Sequence, residues 1–205
     1  MINHAIEYKS IIMRCDKIDV SAFLDLDSSL EIEFYKNGME AVWVAIQKNA
    51  GEFAEESAAE VKAYFLGRYG KNLTELEKRC LFLKEKKTHK YIGTCMAWKE
   101  FQGEGMVSVL HWLAVDKRDT GKGYARMLIT EVLKVFERLE ESEKIYLHTQ
   151  PGSYKAIKLY NDFGFCIAKE DTYGTAVNEY QEAMPILKKY MSKESYIKLE
   201  SSQVL

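Results

Sequence analysis

The sequence predicts a mixed α/β layer fold, and three observations carry that expectation. Apolar spacing alternates along the chain between the two-residue period of strands and the three-and-four spacing of helices. The core elements follow as strand, helix, helix, three strands, helix, strand, helix, strand, and the strand–helix–strand units favour parallel pairing. The composition over 205 residues is 47% hydrophobic and 29% charged, which is enough apolar side chain for a full core without staples.

Each element has a local reason. Residues 7–14 and 31–36 read as short strands, with Ile32 and Phe34 on one face. Met39 to Asn49 carries Val42, Ala45, Ile46 and Asn49 at helical spacing, and Gly51 follows as a stop. A second helix is expected over 53–69, ending at Gly70. Residues 79–84 and 90–98 form a strand pair joined by a turn over 86–89, and 106–115 is a third, longer strand. Tyr124, Met127, Leu128, Val132, Val135, Phe136 and Leu139 mark the clearest helix, over 121–139. A strand at 144–149, a short helix over 153–162 with Gly152 and Ser153 as N-cap residues, and a strand from 165 to 168 complete the core. The tail over 176–192 has helical character, broken or started at Pro185. The expected organisation is an N-terminal extension with a short strand over 1–28, a main domain over 29–170, and a partly helical extension over 171–205 packed on it.

Charge and composition exclude several functions. The net charge of −2 offers no global field toward nucleic acid or an anionic membrane. The longest apolar run, Met106 to Val115, contains Ser108 and His111, and falls short of the ~20 residues of a spanning helix. Glu7, Lys9 and Arg14 interrupt any secretory signal at the N-terminus. The four cysteines, at 15, 80, 95 and 166, stand alone without metal-ligand spacing. The chain therefore reads as cytoplasmic, with reduced thiols and no metal.

The segment Leu110 to Met127 carries the chemistry. A buried strand runs into a turn, a glycine-rich loop and a long amphipathic helix. Gly121 and Gly123 let the backbone turn tightly and approach a ligand. The first amides of the helix and its dipole suit a pyrophosphate, and Lys122 and Arg126 add positive charge. The bland alternative is a turn before a helix. Neither a P-loop nor a dinucleotide fingerprint fits these residues.

The segment resembles the acyl-CoA loop of the GNAT acetyltransferase superfamily, [Q/R]-x-x-G-x-[G/A] after a strand ending in an apolar-x-Val pattern. Here Thr120-Gly121-Lys122-Gly123-Tyr124-Ala125 follows Leu113-Ala114-Val115, and Thr120 departs from the usual Gln or Arg. A second stretch, Ala156 through Leu159-Tyr160 to Gly164-Phe165, resembles the family's A-x-x-L-Y-x-x-x-G-F, with Ser153 where Asn is common. The resemblance covers about residues 30–170. It implies a GNAT-type fold with helices on both faces of a sheet splayed between strands 106–115 and 144–149. Acetyl-CoA would enter there as cosubstrate. Its pantetheine arm would bond backbone groups of Leu113 and Val115, and its pyrophosphate would sit on the amides of Gly121 to Arg126. The implied activity is acetyl transfer to a primary amine by direct attack. The acceptor is a small-molecule or peptide amine, and the assembly a monomer or homodimer. The Thr120 departure keeps a second reading open, a non-catalytic acyl-CoA-binding or sensing module.

Two residues stand out for proton work. His111 and Leu113 emerge on one sheet face if the strand is unbulged, and an imidazole suits general-base work near neutral pH. The L-H-x-L-A-V setting is similar to that of arylalkylamine N-acetyltransferases. Family members often carry a bulge at this point, which would redirect the side chain. The competing reading is a half-buried strand histidine beside Trp112. Tyr160 matches the family tyrosine that protonates the departing thiolate; otherwise it is a core tyrosine. Weaker candidates are His148 on the acceptor side, Glu31, Glu33, Glu52, Glu55 and Glu56 toward a cationic acceptor, and Trp43, Trp98 and Trp112 as pocket walls. Cys166 has no neighbouring base pattern for a thiol nucleophile.

Overall fold

A computed structural model describes residues 2–139 and 144–204. The described strands are β1 (Ile11–Cys15), β2 (Leu30–Phe34), β3 (Cys80–Glu85), β4 (Tyr91–Gln102), β5 (Gly105–Val115), β6 (Ile145–Thr149) and β7 (Cys166–Ile167). The described α-helices are α1 (Glu40–Ala50), α2 (Ala58–Tyr69), α3 (Leu73–Arg79), α4 (Tyr124–Leu139), α5 (Tyr154–Asp162), α6 (Tyr180–Tyr190) and α7 (Lys193–Ser201). Hydrogen-bonded neighbours give one mixed sheet in the order β2-β3-β4-β5-β6-β1-β7. This is the mixed α/β architecture that the spacing predicts. The chain forms two compact units, and β4 and β5 each contribute to both.

The first unit holds Leu24–Trp98 and His111–Leu139. β3 pairs antiparallel with β2, from Leu30↔Glu85 to Phe34↔Leu81, and with β4, from Cys80↔Met96. Its core is aromatic: Tyr35, Trp43, Phe65, Tyr69, Phe82 and Trp98 are buried together. α1 ends where Gly51 adopts φ 97° and its N–H reaches the carbonyls of Gln47 and Lys48, as the glycine stop predicts. α4 buries Met127, Leu128, Val132, Val135 and Phe136, the stripe visible in the sequence. Gly93 explains how closely this helix and β5 approach β4. A Cβ there would lie 2.7 Å from the Ala114 carbonyl oxygen and 2.8 Å from Leu128 Cδ1.

The second unit holds Ile2–Phe23, Lys99–Leu110 and the described residues from 144 onward. β1 lies antiparallel to β6 (Ile11↔Thr149 to Cys15↔Ile145) and to β7 (Met13↔Ile167, Arg14↔Cys166). The parallel ladder between β5 and β6 runs over Ser108↔Ile145 and Val109↔Tyr146 among the described residues. Asn161 fastens the turn after α5, donating to the Phe165 carbonyl at 2.9 Å and to Ser202 Oγ at 2.8 Å. Near the C-terminus, Val204 bridges Ala168 in parallel. Glu179 and Ser10 tie α6 to β1: Glu179 N donates to Ser10 O, and Ser10 N to Glu179 Oε2.

Several local expectations need correction. The second helix starts at Ala58, not at 53. Ser57 and Glu60 cap each other's backbone there, a Ser-x-x-Glu signal that apolar spacing from Phe53 obscures. α3 was not expected. Arg79 ends it, so the strand begins at Cys80. Pro185 neither breaks nor starts the tail helix but lies inside α6, at the cost of one backbone hydrogen bond, and α7 follows it.

Candidate active site

The residues nominated by the sequence fall on both units, and each group has its own local geometry. In the first unit, β5 ends at Leu113, Ala114 and Val115, and Asp116 N donates to Ile92 O at 2.9 Å. Asp116 is buried and organises the turn that follows. It accepts from Arg118 N (3.0 Å), from Arg118 Nε (2.9 Å) and from Asn49 Nδ2 (3.1 Å). The Arg118 hydrogen bonds hold its carboxyl at a pKa of about 2, against the penalty of burial. Asp119 N closes a 3₁₀ turn on Asp116 O, and Thr120 Oγ1 donates to Lys117 O at 3.1 Å.

Gly121 and Gly123 then adopt φ 82° and 84°, values that L side chains take only under strain. A Cβ at Gly121 would meet nothing within 4 Å, whereas one at Gly123 would meet Leu24 Cδ2 at 3.1 Å. α4 begins at once, with Met127 N donating to Gly123 O at 3.1 Å. The turn before that first bond has no acceptors within the helix, which is how a helix start presents its N–H groups. Tyr124, Ala125 and Arg126 are half-buried in this turn. The charge is arranged differently from the simple expectation: Lys122 Nζ folds back on Asp119 at 2.8 Å, and Lys90 pairs with the same carboxylate. Asp119, the loop's own anion, therefore shares both lysines.

Trp112 decides the geometry around His111. Its φ of 53° is left-handed, rare for an aromatic residue in a strand, and costs about 1–3 kcal/mol. The unbulged alternation that would place His111 and Leu113 on one face therefore does not hold. The surroundings over-determine this conformation. The Trp112 carbonyl accepts from Gln47 Nε2 at 3.1 Å. Its ring stacks on Phe53 at 5.2 Å and meets Trp43 and Tyr64 edge-on at 5.5 and 5.8 Å. Phe53 is itself left-handed, with φ 53°, and its carbonyl is held by Lys48 Nζ at 3.1 Å.

His111 is half-buried beside this cluster. Its Nδ1 lies 3.2 Å from Tyr69 Oη, which also receives Trp112 Nε1 at 2.8 Å. Cys95 Sγ donates to the His111 carbonyl at 3.7 Å. Tyr69 is fully buried, with Trp98 edge-on at 4.8 Å, and burial drives its phenol pKa well above the ordinary value. The sequence gives no hint of Tyr69 as a partner of His111, because the two stand 42 residues apart on different elements.

In the second unit, Ser153, Ala156 and Tyr160 lie on one short stretch. Ser153 occupies the N-cap position of α5 but makes no side-chain cap bond; the preceding 3₁₀ turn, Pro151–Ser153, leads in instead. Tyr160 is buried on α5, its ring 6.0 Å from that of Phe165, and its carbonyl accepts from Phe163 N and Phe165 N. Gly164, the glycine of the Gly-Phe pair, has φ 97° and passes so close to Lys17 O that a Cβ would lie 2.4 Å from it. His148 Nε2 lies 2.9 Å from Ser10 Oγ and 3.3 Å from Tyr8 Oη. Glu31 and Glu33 pair with Lys84 at 3.4 and 3.0 Å, while Glu55 and Glu56 are exposed. Cys15, Cys80 and Cys95 are buried and Cys166 half-buried, all as free thiols. Among the described residues no group of three or more His, Cys, Asp or Glu is placed to hold a metal ion, and no helix is long and apolar enough to cross a membrane.

Comparison with known proteins bears on these motifs. The model of the acetyltransferase (GNAT) family matches residues 40–165. No curated protein matches the sequence. Among solved structures, a GNAT-family acetyltransferase from Colwellia psychrerythraea is 13% identical, with a TM-score of 0.57 over 81% of this chain and 55% of its own. A GCN5-related N-acetyltransferase from Sphaerobacter thermophilus is 17% identical, with a TM-score of 0.54 over 81% of this chain and 50% of its own. A Pyrococcus horikoshii protein is 22% identical, with a TM-score of 0.53 over 72% of this chain and 94% of its own. At these identities the likeness is one of fold, and the chain spans about half the length of the first two.

Proposed function

Because this chain belongs to the GNAT acetyltransferase family, for which acyl transfer from an acyl-CoA is the expected chemistry, we propose that it transfers the acetyl group of acetyl-CoA to a primary amine by direct attack. The observation that carries the reading is the loop at the start of α4. Gly121 and Gly123 are both left-handed, and a Cβ at Gly121 would point into open space. Such a loop before a helix start suits a diphosphate, which main-chain N–H groups bind without regard to side-chain charge. On this reading Leu113, Ala114 and Val115 offer backbone groups to the pantetheine arm, Thr120 to Arg126 hold the diphosphate, and Ser153 and Ala156 line the carrier.

The chemistry is balanced. The neutral amine nitrogen forms a bond to the thioester carbon, the carbon–sulfur bond breaks, the nitrogen loses a proton and the sulfur gains one. Amide and free CoA thiol result. His111 and Tyr160 are the proposed catalytic residues, Tyr160 as the acid that protonates the sulfur. The acceptor is a small-molecule or peptide amine. We place the protein in the cytoplasm on the strength of its four free thiols, and take a monomer or homodimer as its assembly.

The test has two arms. Acetyl-CoA at a hundred times its Kd is expected to stabilise the fold by about 2.7 kcal/mol in a thermal melt. Thiol release is then followed over polyamines, aryl amines, aminoglycosides, amino acids and lysine peptides. Absence of a thermal shift refutes the reading. A shift without thiol release from any amine leaves the chain as an acyl-CoA-binding module.

A further inference from the structure

The hydrogens along the line Trp112–Tyr69–His111 can be assigned from the donors and acceptors present. Trp112 Nε1 carries a hydrogen and has no lone pair to offer, so across 2.8 Å it donates to Tyr69 Oη. Trp112 is not free to turn away. Its left-handed backbone, the Gln47 bond to its carbonyl and the rings of Trp43, Phe53 and Tyr64 hold it. Tyr69 is fully buried, so its own hydroxyl hydrogen must find an acceptor or bear the desolvation cost of an unmade bond. Among the described residues, the acceptor within reach of that hydroxyl is His111 Nδ1, at 3.2 Å. In the opposite assignment Nδ1–H joins Trp112 Nε1–H and the Arg68 guanidinium as donors to the phenol oxygen, and the phenol hydrogen is left without an acceptor. Nδ1 is therefore the lone-pair nitrogen, and the neutral ring carries its hydrogen on Nε2.

We propose that Tyr69 is a positioning residue that holds His111 as the neutral Nε2–H tautomer, with Nδ1 taken up by the Tyr69 hydroxyl, so that His111 is not the group that takes the proton from the amine. The catalytic half of this statement rests on the transferase reading above. The proton balance then runs through water. The amine gives its proton to water as the nitrogen–carbon bond forms. Tyr160 gives its proton to the sulfur as the carbon–sulfur bond breaks, and water restores the Tyr160 hydroxyl. His111 neither gains nor loses a proton over the cycle.

The test is the tautomer itself, read by nitrogen-15 NMR of the imidazole rings in the full chain. There are four histidines, and His111→Gln deletes and so assigns the relevant signal. The expected spectrum shows Nε2 protonated and Nδ1 bare in the neutral ring. A wild-type His111 with its hydrogen on Nδ1 overturns the proposal, and through-bond correlation of the ring nitrogens with the ring carbons in the wild-type chain assigns the same signal should His111→Gln fail to fold. Tyr69→Phe keeps the ring but removes the hydroxyl. It is expected to raise the Nδ1–H form and to lower kcat by about tenfold, with the KM for acetyl-CoA unchanged. An unchanged tautomer in Tyr69→Phe removes Tyr69 from the role. Full turnover in His111→Gln would overturn the catalytic half together with the placing of His111 under the proposed function, while the spectrum alone decides the tautomer.

Discussion

Gly51 and Gly164 form a matched pair that separates two reasons for a glycine. Both have φ 97°. At Gly51 a Cβ would meet nothing within 4 Å. At Gly164 it would lie 2.4 Å from Lys17 O, 3.3 Å from Asp19 N and 3.6 Å from Cys15 Sγ. Replacing either by alanine pays the left-handed penalty of an L residue, about 1–2 kcal/mol, less about 0.4–1 kcal/mol for the stiffer unfolded chain. The net for Gly51→Ala is therefore about 1 kcal/mol. Gly164→Ala adds a collision with backbone atoms, which cannot swing aside as a side-chain end does. Overpacking of this kind adds about 1–3 kcal/mol, for a total of roughly 2–4 kcal/mol. In a chain of this size each kcal/mol moves Tm by about 2–4 °C, so Gly51→Ala is expected to lower Tm by about 3 °C and Gly164→Ala by about 6–12 °C. Paired thermal melts, checked by urea titration, read the difference. Equal losses in the two variants would refute the close-approach argument and leave Gly164 as a conformational requirement only.

The other predictions concern the site and the response to acid. His111→Ala is expected to cut kcat by about a hundredfold with the affinity for acetyl-CoA unchanged, read by steady-state kinetics and a thermal shift; unchanged turnover removes His111 from the reaction. Tyr160→Phe should slow thiol release while the melt stays within a few degrees of wild type, and a collapsed melt would favour the plain core role of a buried tyrosine. Asp116 and Glu33 both have carboxyl pKa values of about 2, Asp116 chiefly through Arg118 and Glu33 chiefly through Lys36 and then Lys84. Their folded values are depressed, so the stability they contribute is full above the ordinary carboxylate range and is lost as pH falls from about 4.5 to about 2. Asp116→Asn together with Glu33→Gln should shrink the fall in Tm over that window, and an identical fall in the double variant would contradict the assignment.

The elements legible in the sequence are those built from local rules. α4 follows from one apolar stripe, and Gly51 from the left-handed residue that ends a helix. The Gly121–Gly123 loop follows from glycines placed before a helix start. Each depends on neighbours a few residues away, so spacing alone encodes it. The start of α2 was encoded as well, in Ser57 and Glu60, but the apolar spacing upstream masked it. Other features needed the packed chain. The left-handed Trp112 exists because rings from α1, from α2 and from the turn after α1 clamp it, and no residue beside it in sequence reports that cost. Lys122 looks like a phosphate ligand until Asp119 is seen to claim it. Tyr69, which meets His111 Nδ1, comes from the far end of α2, because which side chains meet across a core is set by how whole elements pack and not by their separation along the chain.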